Sequence, residues 1–182
     1  MNLFIDTHLN DVVILLENNG EVFRKSIISD KRQNSTIIMP TIKKVLDGIK
    51  PDSIIVVNGP GSFTGVRLGV TIAKTLAYTM EIPIRSITSL EMMAVCLDGE
   101  KTVAFSDNNG YYVGTFDKDN NLIGEYIYLS NSEYNEYSSK HNVITDISYD
   151  YEKIIGYTLT KKDINPHSAN PIYIKKLDVE KW

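Results

Sequence analysis

A single cysteine, Cys96, stands among 182 residues, so no intramolecular disulfide can form and stability must come from a packed core. Its neighbours are Ala94, Val95 and Leu97, with no histidine nearby in sequence, which reads as a packing residue rather than a nucleophile. No run approaches the roughly 18 uninterrupted apolar residues of a membrane-spanning helix. The opening MNLFIDTHLND lacks the basic start and apolar stretch of a signal peptide. The chain is therefore expected in the cytoplasm, away from membranes. Basic residues are not in excess either: 19 Lys and Arg against 23 Asp and Glu give a net charge of -4, which excludes the positive field of a stand-alone nucleic-acid binder. Only three histidines occur, His8, His141 and His167, and no two lie one helical turn apart. A metal held by such an imidazole pair is not expected.

What is present is a globular composition, 42% hydrophobic and 23% charged, enough for one ordinary domain or two small ones. Asn2 to Thr7, Asp11 to Leu16 and Val22 to Ile28 are short apolar runs, the last two separated by an Asn18-Asn19-Gly20 turn signal, and they read as a three-strand meander. Between Thr36 and Ile49, apolar residues at Ile38, Ile42, Val45, Leu46 and Ile49 share one helical face. The β-branched run Ser53 to Asn58 has no alternation and predicts a strand covered on both faces. A helix from about Gly65 to Met80, a strand within Ile82 to Ile87 and a helix from about Ser89 to Leu97, capped by Thr88 or Ser89, complete a βββαβαβα order.

From Thr102 the pattern restarts with three strand-like runs around Asn-Asn-Gly and Asp-Lys-Asp-Asn-Asn turns. Glu133 to Lys140 follows as a helix candidate, with strands expected at Asn142 to Ile147, at Ile154 to Leu159 and in a final extended NPIYIKK. Two halves that each begin with a meander suggest a duplicated α/β unit divided near Gly99, as residues 1–98 and 99–182, the second half reduced.

The loop NGPGSFTG, after the β-branched run, invites a phosphate-binding reading. A P-loop needs a lysine directly after its second glycine, whereas here none occurs before Lys74. A dinucleotide fingerprint would take Gly59 and Gly61 but finds Thr64 at its third glycine. A turn at Gly59-Pro60-Gly61 with Ser62 or Thr64 as helix cap accounts for the loop. Backbone N-H groups at the helix start could still attract an anion. In the helix that follows, Gly65, Gly69, Ala73 and Ala77 recur every fourth residue and line up as a stripe of small side chains. Each interior glycine costs about 1 kcal/mol against alanine, so close packing must offset it, on this chain's own sheet and first helix or on a partner's helix. Leu68, Ile72 and Leu76, with Val66 and Val70, spread apolar surface around the cylinder, which predicts two packed faces.

GPGSFTGVRLGVTIAKTLAY, with IPIRSITSLEMMA after it, resembles the signature of the TsaB (YeaZ) family. LFIDTHLNDVVILL is similar to that family's opening strand and hairpin, and NPIYIKK to its closing segment. The resemblance covers roughly the first 95 residues and is thin beyond them. It implies an actin-like, ribonuclease-H-like architecture of duplicated lobes, shared with the paralogue TsaD, and a non-catalytic subunit that binds TsaD through helices of the first lobe. The implied complex, with TsaE, transfers a threonylcarbamoyl group to the tRNA adenosine next to the anticodon, so tRNA is met only through the complex. Partner-facing residues are then expected at Ile38, Ile42 and Val45 in the first helix and at Gly65, Leu68, Gly69, Ile72, Ala73 and Leu76 in the second. No intrinsic cofactor is expected; ATP or ADP is placed at the partner interface, and a homodimer is expected when the partner is absent.

Asp6, with Thr7, ends the first strand where actin-like ATPases carry a carboxylate near metal and phosphate. Together with Gly59, Gly61 and Ser62 it marks a vestigial nucleotide or anion site, set against a plain hairpin turn in which Asp6 or Thr7 bonds local backbone. An independent ATPase is the alternative function, and it would need phosphate-binding loops in the second half, where Asn108-Asn109-Gly110 reads as a hairpin. Ser106 departs from the aspartate usual at that strand end, with Asp107 one position on, and Asn34 replaces the histidine usual in the family's first helix. The lysine pairs 43–44, 161–162 and 175–176 read as solvated surface, Lys175 and Lys176 with a small share in tRNA placement.

Overall fold

The computed structural model describes residues 1–29 and 34–174. Its first sheet is built from β1 (Asn2–Asp6), β2 (Val12–Asn18), β3 (Glu21–Ile28), β4 (Ser53–Val57) and β5 (Ile84–Ile87), in the spatial order β3-β2-β1-β4-β5. The β2–β3 turn is tight because Asn19 (φ 53°) and Gly20 (φ 89°) both take left-handed backbone, as a two-residue hairpin requires. β2 runs antiparallel to β1, whereas β4 is parallel to β1 and β5 to β4, since helices make the crossovers. Those helices are α1 (Asn34–Leu46) and α2 (Phe63–Met80), and both lie on one face of the sheet. Leu3, Ile5, Ile14, Ile54 and Val56 meet Ile38, Ile42, Val45, Val66, Val70 and Ala73 there. The alternate residues Phe4, Val13, Leu15, Ile55 and Val57 point to the opposite face, so the central strands are buried on both sides.

α3 (Ser89–Val95) starts with a capping box in which Thr88 Oγ1 accepts from the Glu91 N-H and Glu91 accepts from the Thr88 N-H. It leads into β6 (Lys101–Ser106), β7 (Gly110–Phe116) and β8 (Leu122–Ser130), then α4 (Asn131–Lys140) and β9 (Val143–Ile144). The second sheet has the order β8-β7-β6-β9, with β9 parallel to β6. Third, second, first and fourth strands thus stand side by side in both sheets, an internal duplication of the ribonuclease-H-like unit. The second copy is reduced: its fourth strand is two residues long, and no fifth joins it among the described residues.

One expected strand is a helix. Ile154 to Leu159 lies inside α5 (Tyr151–Thr160), capped by Asp150, which accepts from the Lys153 N-H at 3.0 Å. Ile154, Ile155 and Thr158 are its buried residues, a spacing that fits a helix and not a strand. α5 leaves its own sheet and packs with Met92 and Val95 of α3 on Phe4, Val13 and Ile55 of the first. Leu90, Met93 and Ala94 of α3 in turn pack on Val103, Tyr112 and Phe116 of the second sheet. β1 to β5 precede residue 99 and β6 to β9 follow it, and α3 packs on both sheets. The closing segment also returns: Ile164 bridges Ile84, and the Ile172 N-H donates to Asn58 O at 2.8 Å. Pro171 to Ile174 joins no sheet ladder, and Lys175 and Lys176 lie outside the described residues.

Candidate functional site

A cleft of about 880 Å³ opens where the β1–β2 loop, the loop before α2, the β6–β7 turn and residues 172–174 converge. The β1–β2 loop, the loop before α2 and the start of α3 are held together by hydrogen bonds. Ser62 N-H donates to His8 O at 2.7 Å, Ser89 N-H donates to Gly59 O at 3.0 Å, and Ser89 Oγ donates to Pro60 O at 2.6 Å. Gly61 is needed at this seam, because a Cβ there would sit 2.3 Å from His8 O. Ser62 caps α2, its Oγ accepting from the Gly65 N-H at 3.3 Å. The first-turn N-H groups of Phe63 and Thr64 have no partner among the described residues, and no acidic side chain occupies that turn.

The stripe on α2 is filled from within the chain, which corrects the expectation of a partner's helix against it. Thr7 Oγ1 donates to Gly65 O at 2.7 Å. A Cβ on Gly65 would lie 2.1 Å from Thr7 O, and one on Gly69 would lie 2.2 Å from Thr7 Oγ1. Gly65 and Gly69 let the helix rest on the β1–β2 loop, while Ala73 and Ala77, the other half of the stripe, are buried in the core shared with the sheet and α1. Ala73, Ile38, Ile42 and Val45 are buried in the same core, so these expected partner-facing residues are committed internally. Of that set only Leu68, Ile72 and Leu76 remain partly exposed, and Met39 lies 45% exposed on α1.

Of the residues expected for an anion site, Asp6, Thr7, Gly59, Gly61 and Ser62, all lie at this seam. Thr7 and Ser62 already use their hydroxyls on backbone, and Gly59 and Gly61 serve close approach. Asp6 is buried, and its Oδ1 accepts from the His8 N-H at 2.9 Å and faces His8 Nδ1 at 2.6 Å. Its negative charge, second to burial, pushes the phenols of Tyr149 and Tyr151 above their ordinary range. Sequence reading passed over His8, which is 2% exposed, lines the cleft and leaves Nε2 with no hydrogen-bond partner among the described residues. Its signal was the Asp-x-His spacing, which lets a turn close a side-chain pair two residues apart.

On the opposite wall Asp107 organises the β6–β7 turn. Its Oδ1 accepts from Asn109 N-H (2.8 Å), Gly110 N-H (2.9 Å) and Tyr128 OH (2.7 Å), and its Oδ2 from Tyr112 OH (3.4 Å). Burial first and this carboxylate second raise the Tyr112 phenol to about 12. Ser106 lines the cleft beside it. At the rim, Phe63 and Tyr173 flank the Arg67 guanidinium, which lies 3.6 Å over the Phe63 ring and donates from Nε to Tyr173 OH at 2.6 Å.

The other histidines lie on separate elements, His141 stacked on Tyr137 and His167 edge-on to Tyr78. No group of three or more potential metal-ligating side chains converges among the described residues. Cys96 Sγ accepts from the Asp150 N-H at 3.3 Å, and burial raises its thiol. Lys43 and Lys44 are solvent-exposed, but Lys161 is not free surface: its ammonium pairs with Glu91 at 2.7 Å and so ties α5 to the cap of α3.

Comparison with known proteins gives a consistent picture. The family model for TsaD, tRNA N6-adenosine threonylcarbamoyltransferase, matches residues 21–106. The tRNA threonylcarbamoyladenosine biosynthesis protein TsaB of Bacillus subtilis (strain 168) is 35% identical over 134 residues, 69% of this chain and 58% of that protein. TsaB of Escherichia coli (strain K12) is 34% identical over 98 residues, 50% of this chain and 42% of that protein. The chain thus spans about half the length of the curated relatives it matches. YeaZ from Pseudomonas aeruginosa superposes with a TM-score of 0.76 at 18% identity, covering 94% of this chain and 98% of that one, which shows a shared fold. By sequence this chain is a homologue of the TsaB (YeaZ) proteins, carried on a duplicated actin-like, ribonuclease-H-like α/β fold.

Proposed function

We propose that this chain is a cytoplasmic, non-catalytic subunit that binds a TsaD-type protein and supports threonylcarbamoyl transfer to the tRNA adenosine next to the anticodon. The observation that carries this reading is the 134-residue match to a protein named for threonylcarbamoyladenosine biosynthesis. The cleft supports the non-catalytic part: Asp107 accepts from protein donors on both oxygens, and Asp6 Oδ1 accepts from His8. Met39, Leu68, Ile72 and Leu76 are among the apolar side chains that α1 and α2 leave at least partly exposed, and they support a partner contact on the outer face of the pair. A nucleotide, if the complex uses one, belongs at that partner interface, and a TsaE-type protein completes the set.

The test is reconstitution with the TsaD-type and TsaE-type proteins of the same genome, tRNA and threonylcarbamoyl-adenylate, with modified adenosine read by mass spectrometry. Modification should require this chain, and the chain alone should produce none. Sustained ATP turnover by the isolated chain, abolished in Asp6→Ala, would instead establish an independent ATPase.

A further inference from the structure

Arg24 pairs with Asp47 at 3.3 Å and Arg85 pairs with Asp163, whereas Arg67 makes no ion pair among the described residues. Its guanidinium is nevertheless held in place. It lies 3.6 Å over the ring of Phe63, one turn earlier on α2, and 5.4 Å from the ring centre of Tyr173, whose OH accepts from Nε at 2.6 Å. That uses one of five N-H donors, and the four on the terminal nitrogens have no acceptor among the described residues. Arg67 is solvent-exposed, and the two flanking rings are 51% and 55% exposed. An arginine already fixed by its own chain loses little freedom on binding, and arginine beside aromatic rings is a composition in which binding energy concentrates.

The charge around it has one sign. α1 and α2 contain Lys43, Lys44, Arg67 and Lys74 and no aspartate or glutamate, in a chain whose net charge is -4. Lys43 and Lys44 are exposed, while the Lys74 ammonium donates to the carbonyls of His167 and Ala169, at 3.3 Å each. The helix pair is thus a cationic face on an acidic molecule. Leu68 follows Arg67 and, with Ile72 and Leu76, adds partly exposed apolar surface to the same helix. Apolar side chains beside an unanswered cation fit an acidic protein surface, and the net negative charge of the chain opposes a polyanion such as a nucleic acid.

We infer that Arg67 is a docking point for a carboxylate, an aspartate or glutamate side chain carried by the protein that α2 binds. This rests on the partner reading above and adds the charge of the partner's surface to it. The terminal nitrogens of a guanidinium present paired N-H groups that match the two oxygens of a carboxylate. Phe63 and Tyr173 keep water from the sides of that pair, which strengthens it. Lys43 and Lys44 contribute attraction at a distance.

The experiment follows the full chain binding the TsaD-type protein of the same genome by surface plasmon resonance, at low and at high ionic strength. The association rate of the wild type should fall as salt rises. Arg67→Gln, with circular dichroism and urea midpoint unchanged, should bind about tenfold or more weakly. Arg67→Lys keeps the charge but not the fork and should also weaken binding, by less. Lys118→Gln, at an exposed lysine of the β7–β8 turn, should bind as the wild type does. An association rate indifferent to salt would overturn the inference without any variant, so a misfolded Arg67→Gln would not rescue it. A folded Arg67→Gln that binds the partner as tightly as the wild type would overturn it too. If that variant kept the protein complex but lost binding of labelled tRNA, the site would belong to nucleic acid and the inference would fall. No complex with the wild type would overturn the partner reading itself, an outcome distinct from a complex that forms and ignores Arg67.

Discussion

Replacing Gly65 with alanine asks whether α2 rests on the β1–β2 loop as described. The added Cβ would lie 2.1 Å from Thr7 O, a backbone atom that no rotamer change can move. Relief requires the helix and the loop to separate, which also breaks the 2.7 Å bond from Thr7 Oγ1 to Gly65 O. Overpacking costs about 1–3 kcal/mol and the lost hydrogen bond about 1, against at most about 1 regained from helix propensity. The net is a destabilisation of about 2 kcal/mol, or a fall in melting temperature of about 4–8 °C for a chain of this size. Gly156 provides the opposite case: it is an exposed interior position of α5, and a Cβ there meets nothing within 4 Å. Gly156→Ala should therefore stabilise by about 0.5–1 kcal/mol. Urea unfolding of the two variants beside the wild type measures both. A Gly65→Ala protein as stable as the wild type would refute the close approach of α2 to Thr7.

Thr88→Ala removes the cap that accepts from Glu91 N-H and the hydroxyl contact with Tyr126 OH at 3.1 Å, so unfolding should show a loss of about 1–2 kcal/mol, while Thr160→Ala, at the exposed end of α5, should change little. In the alkaline range, Tyr112 keeps its proton in the folded chain to about 12, whereas the unfolded phenol releases it near its ordinary 10. The unfolded state then binds fewer protons between those values, so stability falls as pH rises through that window and is fully present below it. Ultraviolet titration should show Tyr112 ionising late, and Asp107→Asn should move it earlier, since the carboxylate charge is part of the cause.

Much of the first sheet and its helices was legible because the signals are local. Asn19-Gly20 forces a hairpin, Ile54 to Val57 is β-branched throughout, and Ile38, Ile42 and Val45 keep helical spacing. The misread α5 contains Ile154, Ile155, Tyr157 and Leu159, which have strand propensity, and the decisive contact is with Phe4 and Val13 in the other half of the chain. Gly65 and Gly69 announced a close approach, but their neighbour, Thr7, lies 58 residues from Gly65 and carries no periodic mark. For His8, the Asp6-Thr7-His8 spacing marks a side-chain pair in the turn, but the cleft it lines is assembled by loops distant in sequence.

The most direct measurement of the central claim is light scattering of this chain mixed with the TsaD-type protein of its own genome, compared with Ile72→Asp and Gly156→Ala. The account predicts a stable complex for the wild type and Gly156→Ala, and loss of that complex in Ile72→Asp with its far-ultraviolet circular dichroism unchanged. No complex with the wild-type chain, or an equally tight one with Ile72→Asp, would contradict it.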